Sequence, residues 1–152
     1  MKRVTCYDGY VMNGYRFHTK ARSKTLNTQN CGVAVKGDPQ SEGKDYFGVL
    51  LEIIELEYDS CHKVVLFRCE WYDVFNENVG LKREGNGVTS MNVKRFLNTN
   101  EPYVLACQVE QVYYVKDNIH RDSRVVIKLI LIISMTSLMK MKKEHHFRIT
   151  MK

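Results

Sequence analysis

Residues 46–74 constrain the fold most. They read Tyr-Phe-Gly-Val-Leu-Leu-Glu-Ile-Ile-Glu-Leu-Glu-Tyr, then Asp-Ser-Cys-His, then Lys-Val-Val-Leu-Phe-Arg-Cys-Glu-Trp-Tyr-Asp-Val. β-Branched and aromatic side chains suit a pleated surface better than a helix, and four polar residues between two such runs predict an antiparallel hairpin. In the first arm Leu50, Ile54, Leu56 and Tyr58 share one parity and Val49, Leu51 and Ile53 the other. Alternate residues of a strand face opposite sides, so the arm needs a β-bulge or tight curl if both sets are to face a core. In the second arm Trp71 shares parity with Val65, Phe67 and Cys69 and is expected in the core. Tyr72 is then expected on the opposite face, as the better candidate for a binding surface.

Short strands are predicted around this hairpin at residues 15–18, 32–35, 88–94, 112–115 and 124–127, with a further Tyr-Val-Leu-Ala run after Pro102 and a single helical turn over 107–111. Residues 19–30 and the glycine-containing 76–87 read as polar loops. Short strands at this spacing close on themselves most economically. The fold class expected is all-β, a small antiparallel SH3-like or BAH-like barrel over 44–128. Basic extensions flank it: residues 1–43 with short strands, and an apolar then basic tail over 129–152.

The net charge of +6 is unevenly distributed. Residues 1–37 carry seven Lys/Arg against Asp8, and residues 118–152 carry eight against Asp122 and Glu144, each summing to +6. Residues 38–117 carry eight against fourteen Asp/Glu, or −6. A phosphate backbone is drawn to the flanks and a basic peptide to the middle, if the charges stay segregated in space.

The five cysteines are odd in number and lack a C-x-x-C pair, and the N-terminal residues lack an apolar signal core. Reduced thiols in cytosol or nucleus are therefore expected. The uncharged run 129–139 falls short of the roughly 20 residues that span a bilayer, so no membrane partner is expected.

Several segments resemble a known family: Tyr-Asp-Gly-Tyr-Val-Met-Asn-Gly-Tyr-Arg-Phe-His-Thr-Lys at 7–20, Gly-Val-Leu-Leu-Glu-Ile-Ile-Glu-Leu-Glu-Tyr at 48–58 and Val-Val-Leu-Phe-Arg-Cys-Glu-Trp-Tyr-Asp-Val-Phe-Asn-Glu at 64–77. Ser-Met-Asn-Val-Lys-Arg at 90–95 and Gln-Val-Tyr-Tyr-Val-Lys-Asp at 111–117 extend the likeness over roughly residues 7–128. Together they resemble the domain of unknown function 4216, associated with transposases of plant CACTA (En/Spm-like) elements. The resemblance implies a noncatalytic accessory module in the nucleus whose partners are DNA, transposase or chromatin. It transfers no catalytic residue. After Lys128 the likeness ends, which leaves open a decayed transposon fragment without activity.

For nucleic acid, Arg16, Lys20, Arg22 and Lys24 interleaved with Tyr15 and Phe17 offer cations for phosphate and rings for stacking. For a basic peptide, Phe47, Tyr72 and Phe75 beside Glu70 and Asp73 offer aromatic faces and carboxylates; Trp71 belongs to the same acidic segment. Weaker similarity of Gly-Val-Leu-Leu-Glu-Ile and Cys-Glu-Trp-Tyr to bromo-adjacent homology domains points the same way. Asp45, Glu70, Asp73 and Glu84 are the carboxylates a two-metal nuclease would need, but an all-β chain lacks its scaffold. Cys61, His62 and Cys69, and Glu144, His145 and His146, lack zinc-finger spacing. No catalytic residue, metal or cofactor is expected.

Overall fold

The computed structural model describes residues 3–27, 29–76, 80–83, 87–128 and 150–151. Among them eleven strands pair antiparallel: β1 (Arg3–Met12), β2 (Tyr15–His18), β3 (Gly32–Val35), β4 (Tyr46–Glu57), β5 (Lys63–Trp71), β6 (Leu81–Arg83), β7 (Thr89–Asn92), β8 (Tyr103–Leu105), β9 (Val109–Lys116), β10 (Ser123–Lys128) and β11 (Thr150–Met151). One helix, α1 (Lys20–Leu26), follows β2. The fold is mainly β, as the sequence predicts.

The strand order is β11-β1-β4-β3-β9-β10-β7-β6, with β2 added to β1, β5 to β4 and β8 to β5. The two ends of this path do not pair, so the expected barrel is replaced by an open sheet. The reason lies in β4. One of its edges is shared end to end by β3, along Tyr46 to Val49, and β1, along Ile53 to Glu57, while β5 follows the other edge. Side chains then leave both faces of the sheet toward separate cores, and apolar burial is met by covering two faces instead of enclosing one.

The hairpin and its irregularity are present. Tyr58 N–H donates to His62 O across the turn at 3.0 Å, and the β4–β5 register slips between Leu50 and Glu52. Because of that bulge Leu50 and Ile53, of opposite parity, face one core with Tyr7, Tyr10, Phe17, Val33, Phe67, Cys69, Trp71, Ala106 and Val109. Phe47 and Val49, ahead of it, face a second core with Ala34, Tyr72, Val74, Leu81, Met91 and Val112.

Several local expectations are corrected. Residues 19–30 are not all loop: Thr19 caps α1 by accepting from Arg22 N–H at 3.4 Å, and Asn27 ends it in the left-handed region at φ 52°. A Thr before a run with good helix formers is a sufficient start signal, outweighed in the sequence reading by polarity. Residues 76–87 contain β6, paired with β7. Residues 3–12, for which no strand is predicted, form β1, which pairs β4, β2 and β11; Arg3, Asp8 and Gly9 interrupt its β-branched and aromatic pattern. The expected helical turn is a 3-10 turn at Ala106–Gln108, and the strand after it is longer than predicted. Apart from β11, the tail 129–152 lies outside the described residues.

Candidate functional site: an acidic aromatic cleft

A cleft of about 430 Å³ opens where the end of β3, the start of β4, the end of β5 and β8 meet. Tyr46, Trp71 and Tyr103 supply rings, Val35, Leu97 and Val104 supply aliphatic surface, and Asp38 and Glu101 supply the only formal charges of the lining.

Each wall has a local cause. Asp38 caps the 3-10 turn Pro39–Ser41 by accepting Ser41 N–H at 2.9 Å, while Asp38 N–H donates back to Ser41 Oγ at 3.0 Å. This reciprocal cap, with Pro39 at the first position of the turn, fixes where the Asp38 carboxylate stands. Opposite, Leu97 N–H donates to Trp71 O at 2.8 Å and Glu101 N–H to Thr99 Oγ1 at 3.1 Å, which holds residues 97–101 along the end of β5. The Trp71 indole N–H donates to Pro102 O at 3.4 Å, so its orientation is set from the same wall. Tyr46 lies edge-on to Trp71 with centroids 6.3 Å apart and to Phe75 at 6.0 Å, interplanar angles 67° and 72°. Trp71 is 7% exposed and forms the floor; Tyr103, 50% exposed, forms a rim.

The negative ends of the lining and the negative faces of its rings favour the same ligand charge. Ammonium and guanidinium groups are attracted to an aromatic face by about 0.5–2 kcal/mol, more where water is excluded. Nothing in the lining repels them.

The residues predicted for a peptide site are not brought together in this way. Phe47 and Tyr72 are buried in the second core, which corrects their expected exposure. Strict alternation along β5 predicts one buried face for the sheet; here both are covered. Tyr72 stacks on Phe96 at 5.3 Å and meets Tyr114 edge-on at 5.5 Å, and burial pushes its phenol pKa up to about 12. The Phe47 ring carries Lys128 Nζ 5.8 Å from its centroid, beside the Lys128–Asp45 ion pair of 2.8 Å. Asp73 is spent on the turn, accepting Phe75 and Asn76 N–H at 3.1 and 3.4 Å, and Glu70 stands half-buried on β5. Phe75 is exposed and touches the cleft through Tyr46. Trp71, expected in the core, is there.

The basic N-terminal candidates divide as well. Lys20 and Lys24 are exposed and share one side of α1, and Arg16 is exposed on β2. Arg22 is paired with Asp8 at 3.1 Å, Phe17 is fully buried against Phe67 at 5.1 Å, and Tyr15 is half-buried. The expected stacking partner Phe17 is therefore unavailable to a base. Beside it His18 is buried with Nδ1 unpartnered, and burial together with Arg22 and Arg16 lowers its pKa.

Cys61 lies in the hairpin turn and Cys69 six residues along β5 from Lys63, about 20 Å at the usual rise per strand residue. The Cys69 thiol is buried, which pushes its pKa up. His62 Nδ1 lies 2.8 Å from Asp59. Among the described residues no three His, Cys, Asp or Glu side chains are placed to hold a metal, and no helix is long and apolar enough to cross a membrane. Glu84 and residues 144–146 lie outside the described residues.

Tyr46, Asp38, Glu101 and Tyr103 were missed as site residues. They come from four separate segments, and only the pairing of β5 with β8 and of β3 with β4 assembles them. The one available signal was the Asp-Pro-Gln-Ser run at 38–41, which marks a capped turn without saying what the cap faces. No curated protein and no solved structure matches the chain. Residues 54–127, from the second half of β4 to β10, match the family described as a domain of unknown function, DUF4216.

Proposed function

We propose that this chain is a noncatalytic binding module that receives a Lys or Arg side chain of a basic peptide in the acidic aromatic cleft. One observation carries the reading: three rings and two carboxylates line a single cleft that contains no cationic side chain. The aliphatic stem of a lysine packs on Val35, Leu97 and Val104, and its ammonium reaches Asp38 and Glu101 over the faces of Trp71 and Tyr103. The transposon context, a CACTA-type transposase-associated protein acting in the nucleus, rests on the resemblance of the segments 7–20, 48–58, 64–77, 90–95 and 111–117. Chromatin supplies basic peptides of this kind there.

Calorimetric titration of a lysine-rich peptide into the full chain tests the proposal. Glu101→Lys, at an exposed position, is expected to weaken binding about tenfold, and Tyr103→Ala about fivefold, as loss of one weak cation contact each. Peptide affinity unchanged in both variants would rule the cleft out as the site.

A further inference from the structure

A second cleft, of about 570 Å³, lies where β6, β7 and β10 meet the loop of residues 117–122. Its electrostatics are the reverse of the first. Lys82, His120 and Arg121 line it together with Ser90, Asn92 and Ser123, and its one carboxylate, Asp122, is already engaged by Lys94 Nζ at 3.4 Å.

The sheet register explains the convergence. Lys82 stands opposite Ser90 and Ser90 opposite Val125, while Asn92 stands opposite Ser123. Cross-strand partners share a face, so Lys82 and these hydroxyl and amide groups project from one side of the three strands. The alternate row, Leu81, Met91 and Arg124, faces the other way, with Leu81 and Met91 buried in the second core. The loop is shaped by Asp117, which accepts Ile119 N–H at 2.8 Å, and it presents Ile119 at 84% exposure beside Arg121.

In sequence, Lys82 and Lys94 belong to the acidic middle of the chain and Arg121 to the basic flank. Folding brings them to one surface, so the acidic label of the middle segment does not hold in space.

We infer that this cleft is a nucleic-acid backbone site, in which Lys82 and Arg121 neutralise phosphates, Ser90 and Asn92 hydrogen-bond phosphate oxygens, and Ile119 packs on the exposed sugar or base edge. Cations with neutral donors around them are the composition that phosphate contacts use, and an apolar tip beside them suits insertion into a groove. The contacts read backbone, so sequence preference is weak.

The test is fluorescence anisotropy of a labelled 20-base-pair duplex with the full chain over a series of salt concentrations. The double variant Lys82→Glu/Arg121→Glu is expected to lose more than tenfold in affinity at low salt and to reduce the logarithmic salt slope by about two. Ile119→Ser is expected to lose a few-fold with an unchanged slope. The control Lys20→Glu/Lys24→Glu, on α1, is expected to change little. Far-ultraviolet circular dichroism verifies that each variant folds, and all four substituted cations are exposed. Duplex binding that survives the cleft variant, or that disappears only in the α1 variant, overturns the inference. So does equal capture by anionic phospholipid vesicles through the same residues.

Discussion

Replacing Gly32 with Ala is expected to destabilise the protein by about 3 kcal/mol or more, the range of an overpacked site that cannot relax. A Cβ at Gly32 would stand 2.1 Å from Val112 O and 3.1 Å from the Tyr114 ring. The carbonyl belongs to β9, which pairs β3, and β3 is held on its other edge by β4, so neither backbone can withdraw without breaking a ladder. For a chain of this size such a loss lowers Tm by about 10 °C. Gly43→Ala is the informative comparison. Its added Cβ meets nothing within 4 Å, and its φ of +75° leaves only the conformational cost of about 1–2 kcal/mol. Thermal melts of the two variants check both statements; equal shifts would mean that the β3–β9 contact is looser than described.

Trp71→Ala is expected to cost about 3–5 kcal/mol, comparable to other large-to-small core substitutions and a large part of the stability of a domain this size. Trp71 is 7% exposed, packs in the first core and donates its indole N–H to Pro102 O. Tyr72→Ala should cost a similar amount, because Tyr72 is equally buried in the second core. Urea denaturation of the two variants measures this. If Tyr72→Ala were nearly silent while Trp71→Ala unfolded the chain, the second core would contribute little to stability. Trp71→Ala is for the same reason a poor probe of ligand binding, and the exposed Tyr103 is the better one.

Much of the fold was legible because it is local. The alternation of Val65, Phe67, Cys69 and Trp71 located β5, and the parity switch around Leu51 located the bulge of β4, since both follow from the two-residue period of a strand. The covering of the second face was not legible. Tyr72 and Phe47 enter a core formed by residues from β3, β7 and β9, and no periodicity within the hairpin reports what packs against its far side. The candidate site was legible in composition but not in place. Residues of the acidic middle segment do line one cleft with rings and carboxylates. The rings that form it are Tyr46, Trp71 and Tyr103 instead of Phe47 and Tyr72, because long-range strand pairing decides which of them meet. Charge runs misled in the same way: Lys82 and Arg121 line one cleft although they come from segments of opposite net sign.

Trp71 is the only tryptophan in the chain, and it forms the floor of the acidic aromatic cleft. Its emission therefore reports on a single place, where the first core meets the cleft floor. Titrating the wild-type protein with a lysine-rich peptide is expected to change the intensity or wavelength of Trp71 emission saturably, with an apparent affinity that falls as salt is raised and no response to an acidic peptide of equal length. Calorimetry on the same samples gives the total binding. Peptide binding by calorimetry with Trp71 emission unchanged, or no binding of the basic peptide at millimolar concentration, would contradict the assignment of this cleft as the cation-receiving site.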